Sequence, residues 1–184
     1  MLNDGTVITG AQVSQILTEE LGTLKATIIN NIRSTGQWAS GKTAASMAVM
    51  VSGSIGELVG RKAFGTLETG RRGTKDNPSA KVPRNFHNII YDWMMAKGVH
   101  AEPMPYKTSR PHKYTEQERG DRTMAYFIAK TIRREGTRLY REGGRDDVYS
   151  RAIPTTIERI NSRLSGIYAA AVAQQIKLNT PQNS

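Results

Sequence analysis

The chain contains no cysteine. That absence removes disulfides, iron–sulfur clusters and cysteine-ligated zinc at once. Histidine is almost as scarce. His87, His100 and His112 stand apart in the chain, without the i, i+4 spacing of a helical metal pair, so neither a metal site nor a cofactor is expected. No apolar run approaches the ~20 residues of a membrane-spanning helix, so no membrane partner is expected. The opening MLNDGTVITG has neither a basic start nor an apolar block. No secretion signal is read there, and a soluble, intracellular origin is expected. Aromatic residues make up only 7% of the chain and are not interleaved with the basic runs, which argues against sequence-specific reading of nucleic acid.

What is present is an excess of positive charge. The formal net charge is +10, from 26 basic and 16 acidic side chains. Residues 61–84 carry seven basic and two acidic side chains, and residues 107–151 carry twelve and seven. The rest of the chain is close to balanced. Such blocks face a polyanion or an acidic partner, or else are solvated surface with counter-ions. With 184 residues, 38% of them hydrophobic, the chain reads as a single domain over 1–184 with a modest core.

Periodicity divides that domain. Val13, Ile16, Leu17, Leu21, Leu24, Ile28 and Ile32 recur at three- and four-residue steps and predict a helix from about 11 to 33, within an N-terminal segment 1–35. Glu19 and Glu20 are placed on its opposite side. Met47 to Phe64 is a set of short apolar runs broken by Gly53, Gly56 and Gly60. It predicts a small antiparallel sheet over about 45–68. RRGTKDNPSAKVP is a basic loop. Phe86, Ile89, Ile90, Trp93 and Met94 predict an amphipathic helix over 84–98 with Trp93 in the core. Residues 99–115, with three prolines, read as an extended arm. Thr115 and Glu118 form a capping box for a helix over 116–136, with Met124, Phe127, Ile128, Thr131 and Ile132 as its core stripe. Residues 137–151 read as a polar loop. Ile157, Ile160, Leu164, Ile167, Ala171 and Ile176 give the last helix, 154–178, a narrow stripe suited to a neighbouring subunit. The fold class expected is α+β.

One octapeptide suggests chemistry. Gly36-Gln37-Trp38-Ala39-Ser40-Gly41-Lys42-Thr43 spells the phosphate-cradling pattern of nucleoside triphosphatases. A working loop of that kind follows a buried strand and opens a helix. Here the upstream segment reads as a long amphipathic helix and the downstream one is rich in valine and glycine. Gly36, Gly41, Lys42 and Thr43 are therefore read as a fortuitous match in a helix-to-strand connection. Paired carboxylates occur only as Glu19-Glu20 and Asp146-Asp147, and no spacing implies a catalytic triad. No catalytic residue is assigned, and a non-enzyme is expected.

The order of the pieces is more informative than any one of them. A long helix leads into GQWASGKTAASM, then AFGTLETGRRG, then FHNIIYDWMMAKG, then AYFIAKTIRREGT. This order resembles the head–tail joining proteins of tailed bacteriophages, the tail-completion and neck-ring group. The matching positions are Phe64, Leu67, Glu68, Gly70 and Arg71, then Trp93, Lys97 and Gly98, then Ile128, Ile132, Glu135, Gly136 and Thr137. The likeness covers roughly residues 34–140. It implies a homo-oligomeric ring in the virion neck or tail, assembled in the host cytoplasm. Such a ring meets portal or adaptor proteins on one side and tail proteins on the other. DNA passes through it with no more than transient, non-specific contact.

On that reading Phe64, Leu67, Glu68, Arg71, Arg72, Tyr106, Tyr114, Ile157, Ile160 and Leu164 are candidate subunit or docking contacts. Lys75, Lys81 and Arg84 are candidates for the pore or an acidic partner. The rival readings are a basic, non-specific DNA-binding module and a triphosphatase built on residues 36–43.

Overall fold

The structure, a computed structural model, describes residues 10–79, 81–107 and 113–179. It is α+β, as expected. Its contacts gather into two compact units, where composition suggested one. The first takes in residues 10–36, 44–61 and 146–179, and the second residues 37–43 and 62–145.

The first unit is organised by helix α1, Gly10–Ser34. Val13, Ile16, Leu17, Leu21, Leu24, Ile28 and Ile32 are buried along it, the stripe that the three- and four-residue steps predict. Gly36, at φ 70°, follows its last turn. A one-turn helix α2, Lys42–Ala45, precedes a hairpin of β1, Ala48–Ser52, and β2, Ile55–Val59. Val49 pairs with Leu58 and Val51 with Gly56, and these four form the half-buried inner face.

A two-stranded ribbon is marginal by itself. This one is laid on α1, with the Ser14 hydroxyl donating to the Gly53 carbonyl at the turn (2.7 Å). The approach is close enough that a Cβ on Gly56 would stand 2.7 Å from Leu21 Cδ1. Glycine at 56 lets the backbone of β2 reach the helix.

The last helix of the first unit, called α7 in chain order, is Ala152–Asn179. Asn31 Nδ2 donates to the Val148 carbonyl (2.9 Å), while Glu20 meets Arg159 and Arg163. α7 therefore runs antiparallel to α1. Thr156 is buried against α1, and Ile160, Leu164, Ile167 and Ala171 are half-buried.

The second unit pairs α4, Phe86–Lys97, with α5, Glu116–Glu135. Ile90, Met94, Ala125 and Ala129 are buried between them, flanked by Phe86, Tyr91, Met95, Met124, Ile128 and Ile132. Two alanines on α5 let the helices approach closely. They also make the contact narrow. It covers the Phe86–Ile90–Met94 row of α4 and leaves the adjacent row, Ile89 and Trp93, outside. Trp93 is 43% exposed, so its placement in the core is corrected, and Phe127 on α5, at 59%, is corrected likewise.

The expected sheet over 45–68 is shorter than the glycine pattern implied. Lys62–Gly65 forms a 3-10 turn and Thr66–Thr69 a short helix, α3. Phe64 and Leu67 thus sit on helical turns. Ala63, Leu67 and Glu68 favour helix, and the segment lacks the two-residue alternation a strand face needs. The polar loop 137–151 likewise contains one helical turn, α6, Arg138–Arg141. Residues 99–107 and 113–115 carry no helix or strand, in keeping with an arm, and 108–112 lie outside the described residues. The Thr115 hydroxyl caps α5 by accepting from the Glu118 N–H (3.1 Å). The Glu118 carboxylate pairs with Arg122 (3.2 Å), whereas a full capping box would have turned it back to Thr115.

Candidate interaction surfaces

Two of the family-like stretches, 67–73 and 135–137, meet in the second unit. The Arg71 N–H donates to Thr137 Oγ1 (2.9 Å), and the Thr137 N–H donates to the Arg71 carbonyl (2.9 Å). Thr74 and Lys75 continue the contact, donating to the carbonyls of Arg133 (2.8 Å) and Arg134 (3.0 Å). Thr137 also starts α6, accepting from the Tyr140 N–H (3.3 Å). The backbone bonds bring the chains too close for side chains at two points. A Cβ on Gly73 would collide with the Arg134 carbonyl, and one on Gly136, which has φ 86°, would stand 2.6 Å from the Arg71 carbonyl. The glycines and the threonine of these motifs are therefore architectural.

The docking candidates around this junction are partly enclosed. Glu68 is buried at 3% exposure, and its carbonyl accepts from the Arg145 N–H (2.9 Å). Glu68, read from the sequence as a docking contact, is thus enclosed within its own unit. Phe64 and Leu67 are half-buried, the Leu67 carbonyl accepting from Gln37 Nε2 (2.6 Å). The Arg71 guanidinium lies 5.0 Å from the centre of the Phe86 ring and donates to the Lys81 carbonyl (2.9 Å). Arg72 is exposed, 5.9 Å from the Tyr140 ring. A cleft of about 290 Å³ is lined by Glu68, Arg72, Tyr140 and Arg145.

Tyr106 and Tyr114 bind the arm to its own chain. The Tyr106 hydroxyl donates to the Tyr114 carbonyl. Arg119 lies 5.0 Å from the Tyr106 ring, and Arg122 lies between Tyr91 (4.4 Å) and Tyr114 (4.3 Å). Asp121, 2% exposed, accepts from the Ala101 N–H (2.7 Å) and pairs with His100 (3.1 Å). Burial pushes its carboxyl up, but the Ala101 N–H, His100 and Gln117 together outweigh burial and hold it below the ordinary range.

A basic groove of about 180 Å³ opens beside this core. It is lined by Val82, Pro83, Arg84, Phe86, His87, Tyr126, Ala129, Lys130 and Arg133. Of the basic candidates named from sequence, Arg84 lines it; Lys75 and Lys81 are exposed outside its lining. Lys130, Arg133, His87 and Tyr126 join Arg84 there without belonging to either candidate set read from the sequence. Tyr126, Lys130 and Arg133 follow one another at four- and three-residue steps on α5, so one helical face carries all three, and that spacing was visible in the sequence.

The first unit has an acidic–basic cluster and two apolar faces. Glu20, 8% exposed and hence not on an outer side of α1, is held by Arg159 Nε (2.8 Å) and Arg163 Nη1 (2.9 Å). These two guanidinium groups keep its carboxyl below the ordinary range. Arg163 also reaches Glu19 (2.6 Å).

The stripe expected on α7 divides. Ile160, Leu164 and Ile167 turn toward α1, whereas Ile157 is 51% exposed. Leu164, Tyr168, Val172 and Ile176 follow at strict four-residue steps. A row of that kind winds around a straight helix, and it ends outward, with Tyr168, Val172 and Ile176 each more than half exposed. The outer face of the hairpin exposes Met50, Ile55 and Val59 as well.

The phosphate-loop-like octapeptide follows α1 and not a strand. Its second glycine lies against the Trp38 ring, which a Cβ on Gly41 would meet at 3.0 Å. Lys42 and Thr43 begin a helix of four residues only. Among the described residues there is no cluster of three or more His, Asp or Glu that could hold a metal. No helix among them is long and apolar enough to cross a membrane. No family model matches the chain, nor does a curated protein or a solved structure.

Proposed function

We propose that this chain is a structural virion protein that forms a homo-oligomeric ring at the head–tail junction of a tailed phage. The ring joins the portal side to the tail and lets DNA pass. The observation that carries the reading is the outer face of α7, where Ile157, Tyr168, Val172 and Ile176 are more than half exposed along one helix. A long helix that spends one face on its own unit and keeps a second apolar face outward is suited to a neighbouring copy. The outer hairpin face, Met50, Ile55 and Val59, is a second adhesive surface of the same kind. The meeting of residues 67–73 with 135–137 supports the family resemblance, because motif positions far apart in the chain then belong to one structural element.

Electron microscopy of the purified protein and of the virion tests this. Closed rings are expected, with labelled protein at the neck. Tyr168→Asp with Val172→Asp should abolish the rings and leave the circular dichroism spectrum unchanged. A chain that forms no ring alone and is missing from the virion neck would overturn the reading.

A further inference from the structure

We infer that the groove between the 82–84 loop and α5 binds a single nucleic-acid strand, taking one backbone phosphate among Arg84, Lys130 and Arg133 and an unstacked base on Tyr126. The inference stands on the groove and does not depend on ring formation. Three permanent cations and His87 line an opening with no acidic residue in its lining. None of the three cationic side chains makes an ion pair among the described residues. Elsewhere in the same unit arginines are engaged: Arg122 with Glu118, Arg134 with Glu135, Arg138 with Glu142. Unneutralised cations converging on one opening are where an anion gains most.

The aromatic content of the groove chooses among anions. Tyr126 is 54% exposed and neighbours Phe127, 59% exposed, in an edge-to-face pair with centroids 5.7 Å apart. Exposed rings beside cations are the arrangement that holds single strands, with charge on the backbone and a ring face for a base. A carboxylate-bearing peptide would use the cations and leave the rings bare. Size bears on the form of the ligand too. About 180 Å³ is below the ~300 Å³ at which pockets begin to enclose whole small molecules, so the groove suits one phosphate of a strand that continues over the surface. Arg71, stacked on the Phe86 ring that forms part of the lining, extends the positive surface beyond it. Spacing along α5 already sets Tyr126, Lys130 and Arg133 on one face, and the packing of α4 on α5 brings Arg84, Phe86 and His87 to them.

The test is fluorescence anisotropy of the full chain with a labelled 12-nucleotide single strand, the matching duplex, and an acidic peptide of equal charge. The single strand should bind tightest. Lys130→Glu with Arg133→Glu should weaken it at least ten-fold and lower the salt slope by about one, as loss of one phosphate contact requires. Tyr126→Ala should weaken the single strand by roughly five-fold or more and leave the duplex unchanged. Lys62→Glu with Lys177→Glu carries the same change of net charge at residues outside the groove's lining and should have little effect. Equal loss in that control would show attraction by overall charge and overturn the site. Binding of the acidic peptide as tightly as the strand, with the same dependence on Lys130 and Arg133, would assign the groove to a protein partner. A Tyr126→Ala variant that binds the strand normally would also overturn the inference. Circular dichroism of each variant separates lost binding from lost folding.

Discussion

Arg71 and Thr137 stand 66 residues apart in sequence and exchange two hydrogen bonds, each 2.9 Å long. The Thr137 hydroxyl is shared between the Arg71 N–H and the first turn of α6. One side chain therefore joins the 67–73 segment to the end of α5 and starts the next helix.

Thr137→Ala removes a cap and leaves the Arg71 N–H short of a partner. A loss of about 1–2 kcal/mol is expected from urea unfolding. Thr137→Ser keeps the hydroxyl and should recover most of it. Equal losses in the two variants would show that the hydroxyl is not the source.

Two glycines make a matched pair. Gly73→Ala places a Cβ against backbone of residues 134–136, which cannot swing aside, and should cost about 3 kcal/mol. Gly22→Ala, inside α1 with open space at the added atom, should stabilise by ~0.5–1 kcal/mol. Thermal unfolding of both reports opposite signs if the close approach at 73 is real.

Trp93 and Met94 are chain neighbours with opposite burial, 43% and 0% exposed. Met94→Ala should cost roughly 2–5 kcal/mol. Trp93→Ala should cost less than about 1 kcal/mol. A large loss at Trp93 would restore it to the core.

Acid should unfold the first unit through Glu20. Arg159 and Arg163 hold its folded carboxyl below the ordinary value of 4.5. The stabilisation is therefore present above that value and lost as pH falls through the lower folded one. Asp121 in the second unit acts in the same direction from an ordinary value of 3.8. Urea midpoints should drop between pH 5 and pH 3. Glu20→Gln should lower stability at pH 7 by about 1–2 kcal/mol, since its arginines remain partly solvated. It should also flatten that part of the acid response. An unchanged pH slope in this variant would remove Glu20 from the account.

The sequence by itself determined the helices and their approximate ends. Periodicity and glycine or threonine boundaries act within a few residues, so α1, α4, α5 and α7 were legible; of the glycines read as breakers, Gly53 falls in the hairpin turn and Gly56 inside β2. It also marked the 67–71 and 135–137 stretches without revealing that they touch. What only tertiary structure decided was which of two adjacent apolar rows is covered, because that depends on the width of the partner. The alanines of α5 shelter Ile90 and Met94 and leave Trp93 out; α1 shelters Ile160 and Leu164 and leaves Ile157 and Tyr168 out. It likewise decided that Glu20 is enclosed, because its two arginines lie about 140 residues away. The groove of Arg84, His87, Tyr126, Lys130 and Arg133 has the same origin. Spacing on α5 sets Tyr126, Lys130 and Arg133 on one face, but Arg84 and His87 lie some 40 positions away, and only the docking of one helix on another closes the groove around them.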